Sequence, residues 1–265
     1  MSMAAVSGSI YQHFRPEEAE LIDNLNDLIN QAETEYRPIL THFLNPRELY
    51  IVHTLINMHE GVNMKSWGGF SGAERKRVLF FPDYYFPEQT DFHLSLLEVV
   101  YPHKFAVLHH GSILGTLVNS GIQREVLGDI ITDSVRWQFF VEAPIAPFLV
   151  EQIDRISHFK VHLEERQLSE TIHQISEWEN IEDTVASLRA DALISHFFKV
   201  SRKHAKDLFH AHKVQLNWMR LDKPDYELSD YDILSIRGYG RIKFKQQSGI
   251  SKKGKLKISA AVLKK

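Results

Sequence analysis

The middle of the chain changes several times between strand-like and helix-like spacing of apolar residues, and this order restricts the folds open to it. Strand-like apolar runs lie at 78–81, 92–101, 105–108, 126–132, 135–141 and 159–163. The segments 110–119 and 146–156 have the spacing of helices. With one strand before residue 110, the order is β-α-β-β-α-β, which predicts a ferredoxin-like domain over residues 76–165.

Residues 1–75 are predicted to form a helical unit. Between residues 17 and 36 the apolar side chains lie on one helical stripe, and acidic residues occupy the first turn, where the helix dipole favours them. A second helix is predicted to start at Asn45-Pro46, a capping residue followed by proline. It runs to about Met58 and is stopped by Gly61.

A third unit is predicted over residues 183–265. Two short helices are expected at 189–198 and 201–211, with Ser201 as the N-cap of the second. Strand-like segments follow at 214–218, 233–236, 241–244 and 256–262. The polar, acidic stretch before this unit indicates a linker or linking helix, which we place at 166–182. The whole chain is therefore expected to be α+β.

Opposite charges are segregated along the chain. It has 31 basic and 34 acidic residues, a net charge of −3. Residues 183–265 hold 18 of the basic and 8 of the acidic residues, so they carry +10 and residues 1–182 carry −13. The sequence has no acidic residue after Asp232. A basic block of this kind favours a polyanionic partner such as RNA, and the alternative is a tail that serves solubility.

Residue types and motifs that the sequence lacks exclude several kinds of functional site. The chain has no cysteine, which excludes disulfides, thiolate metal sites and a cysteine nucleophile. Its 15 histidines follow no recognisable metal-ligand pattern, and segment 111–115 places its serine one position too early for a nucleophile elbow. We therefore expect no metal, cofactor or small-molecule substrate. No apolar run approaches the ~20 residues of a membrane span and the first ten residues lack a signal-peptide layout, so we expect no membrane contact and a cytoplasmic location.

The third unit carries the spacing of a known RNA-binding module. Arg189-Ala-Asp191 matches its opening Arg-Leu-Asp, Ser201-Arg202 its Ser-Arg, and Val214-Gln-Leu-Asn217 its strand Val-x-Val-Asn. The unit resembles the α-L domain, called the "S-four" domain after a small-subunit ribosomal protein and also present in tyrosyl-tRNA synthetases and pseudouridine synthases. The resemblance implies that residues 183–265 bind RNA.

Further stretches extend a resemblance over nearly the whole chain. They are Phe43-Leu-Asn-Pro-Arg-Glu48, Gly68-Gly-Phe70 with Ala73-Glu-Arg75, Leu114 to Asp129, and Ser235 to Arg241. Together they resemble the YlmH proteins of Gram-positive bacteria and cyanobacteria, whose genes lie beside division genes. Membership of this family implies a middle domain related to the RNA-recognition motif. It also implies binding to the large ribosomal subunit during rescue of stalled nascent chains.

The expected RNA contacts lie mainly on the second helix of the α-L domain. Its N-cap Ser201 and the basic residues Arg202, Lys203 and Lys206 suit phosphate oxygens, through helix N-terminal amides and charged side chains. The alternative is a solvated helix face. Four further residues are expected to belong to the RNA-binding surface: Arg189, Lys213, Arg237 and Arg241.

The middle domain gives a weaker indication of RNA contact. Residues 136–141 are expected on a central strand, where RNA-recognition motifs place base-stacking aromatics. The glycines of that motif are absent, so Trp137 and Phe139 are expected to pack in the core. Arg75 and Arg124 match family motifs and are kept as further candidate RNA contacts.

Two motif glycines are also assigned a role from the sequence. Gly121 and Gly128 are expected to serve turn geometry rather than close approach of a ligand.

The sequence leaves three hypotheses for the function of the protein. The leading hypothesis is a non-catalytic protein that docks structured RNA, namely rRNA with or without bound tRNA, on the large ribosomal subunit. The alternative is an RNA-modifying enzyme that uses the α-L domain for docking, although the chain lacks the Gly-Arg-Leu-Asp stretch of pseudouridine synthases and a glycine-rich adenosylmethionine loop. The third, a division-associated scaffold, depends on gene neighbourhood in the family.

Overall fold

The computed structural model describes residues 14–102, 107–173 and 178–264. The chain divides into two compact units, Met1–Ile175 and Ser176–Lys265, which we name unit 1 and unit 2. Helices and antiparallel sheets occur in both, which confirms the α+β class. None of the helices within the described ranges is long and apolar enough to cross a membrane.

Within the described residues, the first half of unit 1 has two α-helices and a three-stranded sheet. In chain order these elements are α1 (Ala19–Thr34), β1 (Ile39–Leu44), α2 (Pro46–Ile56), β2 (Val62–Trp67) and β3 (Lys76–Pro82). The two predicted helices are confirmed. β3 pairs antiparallel with both β1 and β2, and so belongs to this first sheet although it follows the predicted boundary at residue 75. β1 and β2 were not predicted, because β1 does not alternate between apolar and polar residues and β2 alternates over only its first four residues.

The start of α2 follows directly from its sequence. Asn45 Oδ1 accepts hydrogen bonds from the backbone nitrogens of Arg47 (2.9 Å) and Glu48 (3.1 Å). The Glu48 carboxylate in turn accepts from Asn45 N at 2.6 Å. Pro46 needs no partner at the first helical position, so this capping box satisfies the exposed amides of the helix end.

The second half of unit 1 is a four-stranded antiparallel sheet with two helices. In chain order its elements are β4 (Leu94–Val100), α3 (His110–Asn119), β5 (Leu127–Thr132), β6 (Trp137–Glu142), α4 (Ala146–Gln152), β7 (Arg155–Ile156), β8 (Phe159–Lys160) and β9 (His162–Arg166). The sheet order is β5-β6-β4-β9, and β7 and β8 form a separate hairpin. The four sheet strands with α3 and α4 have the predicted β-α-β-β-α-β order.

The predicted helix at 146–156 and the predicted strand-like run at 105–108 differ from the structure. α4 ends at Gln152, four residues early, because the backbone of Ile153 is extended and leads into β7. Of the predicted run 105–108, residues 105 and 106 lie outside the described residues, and Val107 and Leu108 belong to no strand.

Both faces of the four-stranded sheet are buried. On the face towards α3 and α4, Phe139 is part of the core and Trp137 packs against it, as predicted. On the opposite face, Phe140 packs with Phe43 of β1, and the ring of Phe70 stacks on it at 5.3 Å. The sheet face on which RNA-recognition motifs stack bases is thus filled by the chain's own side chains.

The two motif glycines have different roles. Gly121 has a φ of +96°, which confirms the expected turn geometry. The prediction for Gly128 is wrong, because a Cβ there would lie 2.7 Å from the ring of Phe43 and 2.9 Å from the Cβ of Phe140. Gly128 allows β5 to pack closely against the Phe43 side chain.

Unit 2 is a six-stranded antiparallel sheet with two helices. Its elements are β10 (Glu179–Val185), α5 (Ala190–Phe198), α6 (Arg202–His210), β11 (Val214–Leu216), β12 (Met219–Arg220), β13 (Ile233–Ile236), β14 (Gly240–Ile250) and β15 (Leu256–Lys264). The strand order is β10-β15-β14-β13-β11-β12. α5 and α6 pack on one face of this sheet and share its apolar core. In the polar stretch at 164–183, the described residues form the end of β9, a single 3₁₀ turn (Leu168–Glu170) and the start of β10.

Candidate nucleic-acid interface

The sequence of α6 fixes which of its side chains face outward. Ala205, Leu208 and Phe209 are buried in the core of unit 2. Lys203 and Lys206, three residues apart on the helix, are exposed on the opposite side. The helix starts at the predicted N-cap, where Ser201 Oγ accepts a hydrogen bond from His204 N at 3.0 Å. This leaves a basic first turn at the positive end of the helix dipole, the arrangement that favours phosphate.

A buried carboxylate orients two of the predicted basic residues. Asp191, in the first turn of α5, is 0% exposed. It accepts from Arg202 Nη2 at 2.8 Å and from Arg189 Nε and Nη2 at 3.2 and 3.3 Å. Burial acts to raise the pKa of Asp191, but the hydrogen bonds from Arg189 and Arg202 outweigh it and hold that pKa below its usual value. The ionised carboxylate therefore fixes both guanidinium groups, while about half of the Arg202 side chain stays exposed.

Lys213 and Arg237 are adjacent beyond the end of α6. The amide of Arg237 donates to the carbonyl of Lys213 at 2.8 Å, and both residues are exposed. Tyr239, two residues after Arg237, has its hydroxyl oxygen 2.6 Å from Nε2 of His204 on α6. These contacts connect the turn between β13 and β14 to the helix. We call the resulting surface of unit 2 the α6 surface; its members are Ser201, Arg202, Lys203, Lys206, Lys213 and Arg237.

Arg241 does not lie with these residues. Its neighbours Ile242 and Phe244 on β14 point into the core beneath α5 and α6. Because side chains alternate along a strand, Arg241 points to the other face of the sheet. There its guanidinium carbon lies 5.2 Å from the ring centroid of Trp178 and 5.7 Å from that of Trp218. We therefore do not count Arg241 in the α6 surface.

The two candidate arginines of unit 1 bind its own backbone. Arg75 is 3% exposed and donates to the carbonyls of Leu127 (2.9 Å) and Phe43 (2.8 Å). Burial lowers the pKa of Arg75, although nearby carboxylates, above all Glu48, partly offset this. Arg124 is half-buried and donates to the Leu127 carbonyl at 2.6 Å. The structure gives both side chains a place in the packing of unit 1, and we do not carry them into the proposed interface.

Two motif stretches of unit 1 meet through a carboxylate. Asp129 accepts hydrogen bonds from the backbone nitrogens of Glu74 (2.6 Å) and Arg75 (3.2 Å). Burial, with the nearby Glu74 carboxylate, raises the pKa of Asp129 to about 6, although the two backbone hydrogen bonds oppose the shift. The matching residues at 73–75 and 127–129 thus hold the two sheets of unit 1 together.

Sequence reasoning missed the buried role of Asp191 and the aromatic partners of Arg241. Asp191 was noted as part of a motif, and its position two residues after Arg189 is compatible with such a pair. Trp178 and Trp218 are 40 residues apart, and nothing in their spacing signals that they flank one arginine. In the described ranges, no three His, Asp or Glu side chains converge in a way that could hold a metal ion.

These features define an α+β protein in which a ferredoxin-like domain is followed by a compact unit that exposes a basic helix. Two family models match the chain, one described as "YlmH, N-terminal" over residues 17–85 and one as "Putative RNA-binding domain in YlmH" over residues 87–170. A relative from Bacillus subtilis (strain 168), "Ribosome-associated protein quality control protein P2", is 36% identical over 250 residues, which is 94% of this chain and 97% of the relative. The chain belongs to the YlmH family.

A solved structure is also similar. The "Cell division protein ylmH from Streptococcus pneumoniae" shares 38% sequence identity with this chain and superimposes with a TM-score of 0.54. The match covers 62% of this chain and 99% of the solved one.

Proposed function

We propose that this protein binds structured RNA on the ribosome and acts there by occupancy, without catalysing a reaction. The observation that carries the proposal is the α6 surface, where exposed lysines and the oriented Arg202 surround a capped helix N-terminus. Helix-end amides and cationic side chains together favour the phosphate oxygens of an RNA backbone.

Charge supports unit 2 as the main docking element. Residues 183–265 carry +10, whereas residues 1–182 carry −13 and would repel a phosphate backbone on average. The family model described as RNA-binding lies on residues 87–170. In that domain the sheet face opposite the helices is occupied by Phe43, Phe70 and Phe140. We infer that this domain contributes less RNA affinity than the α6 surface.

The name of the Bacillus relative supports a place for this chain in ribosome-associated quality control. We propose rRNA of the large subunit, with or without a bound tRNA, as the RNA that the α6 surface docks. If the protein acts on stalled ribosomes, it is located in the cytoplasm. A phosphate-contacting surface supplies affinity and register rather than sequence readout, which suits a fixed rRNA structure that is present once per ribosome.

The experiment compares two double variants of the full-length protein for co-sedimentation with purified ribosomal subunits. Lys203→Ala with Lys206→Ala removes two exposed charges from the α6 surface. The control, Lys252→Ala with Lys253→Ala, removes two exposed charges from the turn between β14 and β15. We expect the α6 variant to bind large subunits several-fold more weakly, with a log–log salt slope shallower by roughly 1 to 2, and the control to change much less.

Equal binding by both double variants and the wild type would show that α6 is not the docking element. Preferential binding of the wild type to small subunits would contradict the large-subunit assignment.

A further inference from the structure

The sheet of unit 2 has a second face that the α6 surface does not use. Ile242 and Phe244 of β14 point towards α5 and α6, so Arg241, Lys243 and Lys245 alternate onto the other face. Lys245 Nζ donates to Asn180 Oδ1 on β10 at 2.8 Å, a contact that lies on this same face. The face therefore carries three basic residues in a row along one strand.

Two tryptophans flank the first of these basic residues. The Arg241 guanidinium lies 5.2 Å from the ring centroid of Trp178 and 5.7 Å from that of Trp218. Both distances are within the range of a cation–π contact. All three side chains are partly exposed, so the stack is open to solvent.

The backbone at Trp218 is unusual and is held in place. Asn217 and Trp218 form the turn between β11 and β12 with φ values of +47° and +67°. Two consecutive positive φ values mark a type I′ hairpin turn, which favours Asn followed by Gly rather than Asn followed by Trp. Asn217 is fixed by the buried Asp232, which accepts from Asn217 Nδ2 at 2.8 Å. A large aromatic residue thus occupies a position where its backbone conformation is unfavourable.

The chemistry of this face suits unpaired nucleobases. Every base has a π face that stacks on an aromatic or guanidinium plane, and nearby lysines neutralise the connecting phosphates. Lys243, two residues along β14 from Arg241, supplies such a charge. The basic part of the face ends near Lys245, because the next residue of β10 on this face after Asn180 is the acidic Glu182.

We propose that Trp178, Arg241 and Trp218 form a stacking site for single-stranded RNA, separate from the α6 surface. The inference rests on the proposed RNA-binding function and adds a second class of RNA to it. α6 docks structured RNA by its phosphates, and the partly exposed stack on the second sheet face holds an unpaired segment of the same or a neighbouring strand.

The test uses the full-length protein and two RNAs: a stable hairpin and an unstructured oligouridylate of about 12 nucleotides, within the length range that single-strand sites cover. Binding of each is followed by tryptophan fluorescence and by anisotropy of a labelled RNA. Trp218→Gly removes the ring and supplies the residue that the turn prefers, so the variant should stay folded. Arg241→Lys keeps the charge and removes the planar group.

We expect each variant to bind oligouridylate at least five-fold more weakly and with less fluorescence quenching, while hairpin binding stays within two-fold of the wild type. The control is Met219→Ala, next to Trp218 and 76% exposed, which should bind both RNAs like the wild type. Unchanged oligouridylate binding by Trp218→Gly and Arg241→Lys, with normal hairpin binding, would refute the stacking site and leave the proposed function standing. Failure of the wild type to bind either RNA would refute both.

Discussion

Asp191 and Arg202 lie on successive helices of unit 2, and Arg202 Nη2 donates to the fully buried Asp191 carboxylate at 2.8 Å. The carboxylate also accepts from Arg189, so one acidic side chain orients two cations that border the α6 surface. A buried acid is costly unless it is paired, and here both partner side chains stay partly exposed, Arg189 at 36% and Arg202 at 47%. Asp191, although acidic, therefore holds in position the basic side chains that border the α6 surface.

The first prediction concerns this carboxylate. Asp191→Asn keeps the shape and loses the charge that both arginines contact, so the free energy of unfolding should fall by about 1–3 kcal/mol. Chemical denaturation followed by circular dichroism measures this. The matched control is Asp222→Asn, because Asp222 also accepts from an arginine, Arg220 at 2.7 Å, but is exposed. That substitution should change the free energy of unfolding much less, because solvent and salt screen an exposed ion pair.

The pH dependence of the same group has a definite sign. The folded-state pKa of Asp191 lies below its usual value, so its contribution to stability is present above about pH 3.8 and disappears as the pH falls through the folded-state pKa. Equal losses for Asp191→Asn and Asp222→Asn at neutral pH would contradict the structural role assigned to Asp191.

The second prediction concerns Asp129, whose pKa is raised in the folded protein whereas that of Asp191 is lowered. Its pKa is raised to about 6, so the folded chain binds this proton more tightly than the unfolded chain does. The contribution of Asp129 to the free energy of unfolding should fall as the pH rises from about 4 to 6, by at most about 3 kcal/mol. The difference between the wild type and Asp129→Asn across this range isolates the effect, and carboxyl NMR should show a midpoint near 6. A midpoint near 4 would refute the shift.

The third prediction concerns the close approach at Gly128. Gly128→Ala should lower the free energy of unfolding by about 1–3 kcal/mol, because its methyl group would meet Phe43 at 2.7 Å in a filled core. Gly115→Ala is the control: Gly115 lies inside α3 with nothing within 4 Å of an added Cβ, so that variant should be about 0.5–1 kcal/mol more stable. Urea denaturation of both variants checks the pair. Similar stability of the two would show that β5 does not pack this tightly.

The fourth prediction concerns the absence of catalysis. If the protein acts by occupancy, its effect on stalled ribosomes should rise in proportion to the amount bound and saturate near one copy per ribosome. Mass spectrometry of rRNA and tRNA from cells with and without the protein should give the same nucleosides. A protein-dependent modification, restored by substoichiometric purified protein, would favour the RNA-modifying enzyme instead.

Local sequence was sufficient wherever a structural choice depends on neighbouring residues. The start of α2 was predicted from Asn45-Pro46 and that of α6 from Ser201, because caps are satisfied within four residues. The strand and helix order of the ferredoxin-like domain was predicted from alternating periods. Pairing of short strands is a long-range property, so β1 and β2 were missed, and β3 was recognised as a strand without its partners.

The sequence by itself determined the α+β class, the family, the separation of charge and the basic residues of α6, because each depends on composition or on spacing over a few residues. Tertiary structure alone decided which candidates face solvent. Arg75 is buried in the packing between the two sheets of unit 1. Arg241 lies on the face of the unit 2 sheet opposite the helix that carries Lys203 and Lys206. It also brought Trp178 and Trp218 together around that arginine. The physical reason is that burial and strand pairing join residues far apart in the chain, and no local pattern records which partners they will meet.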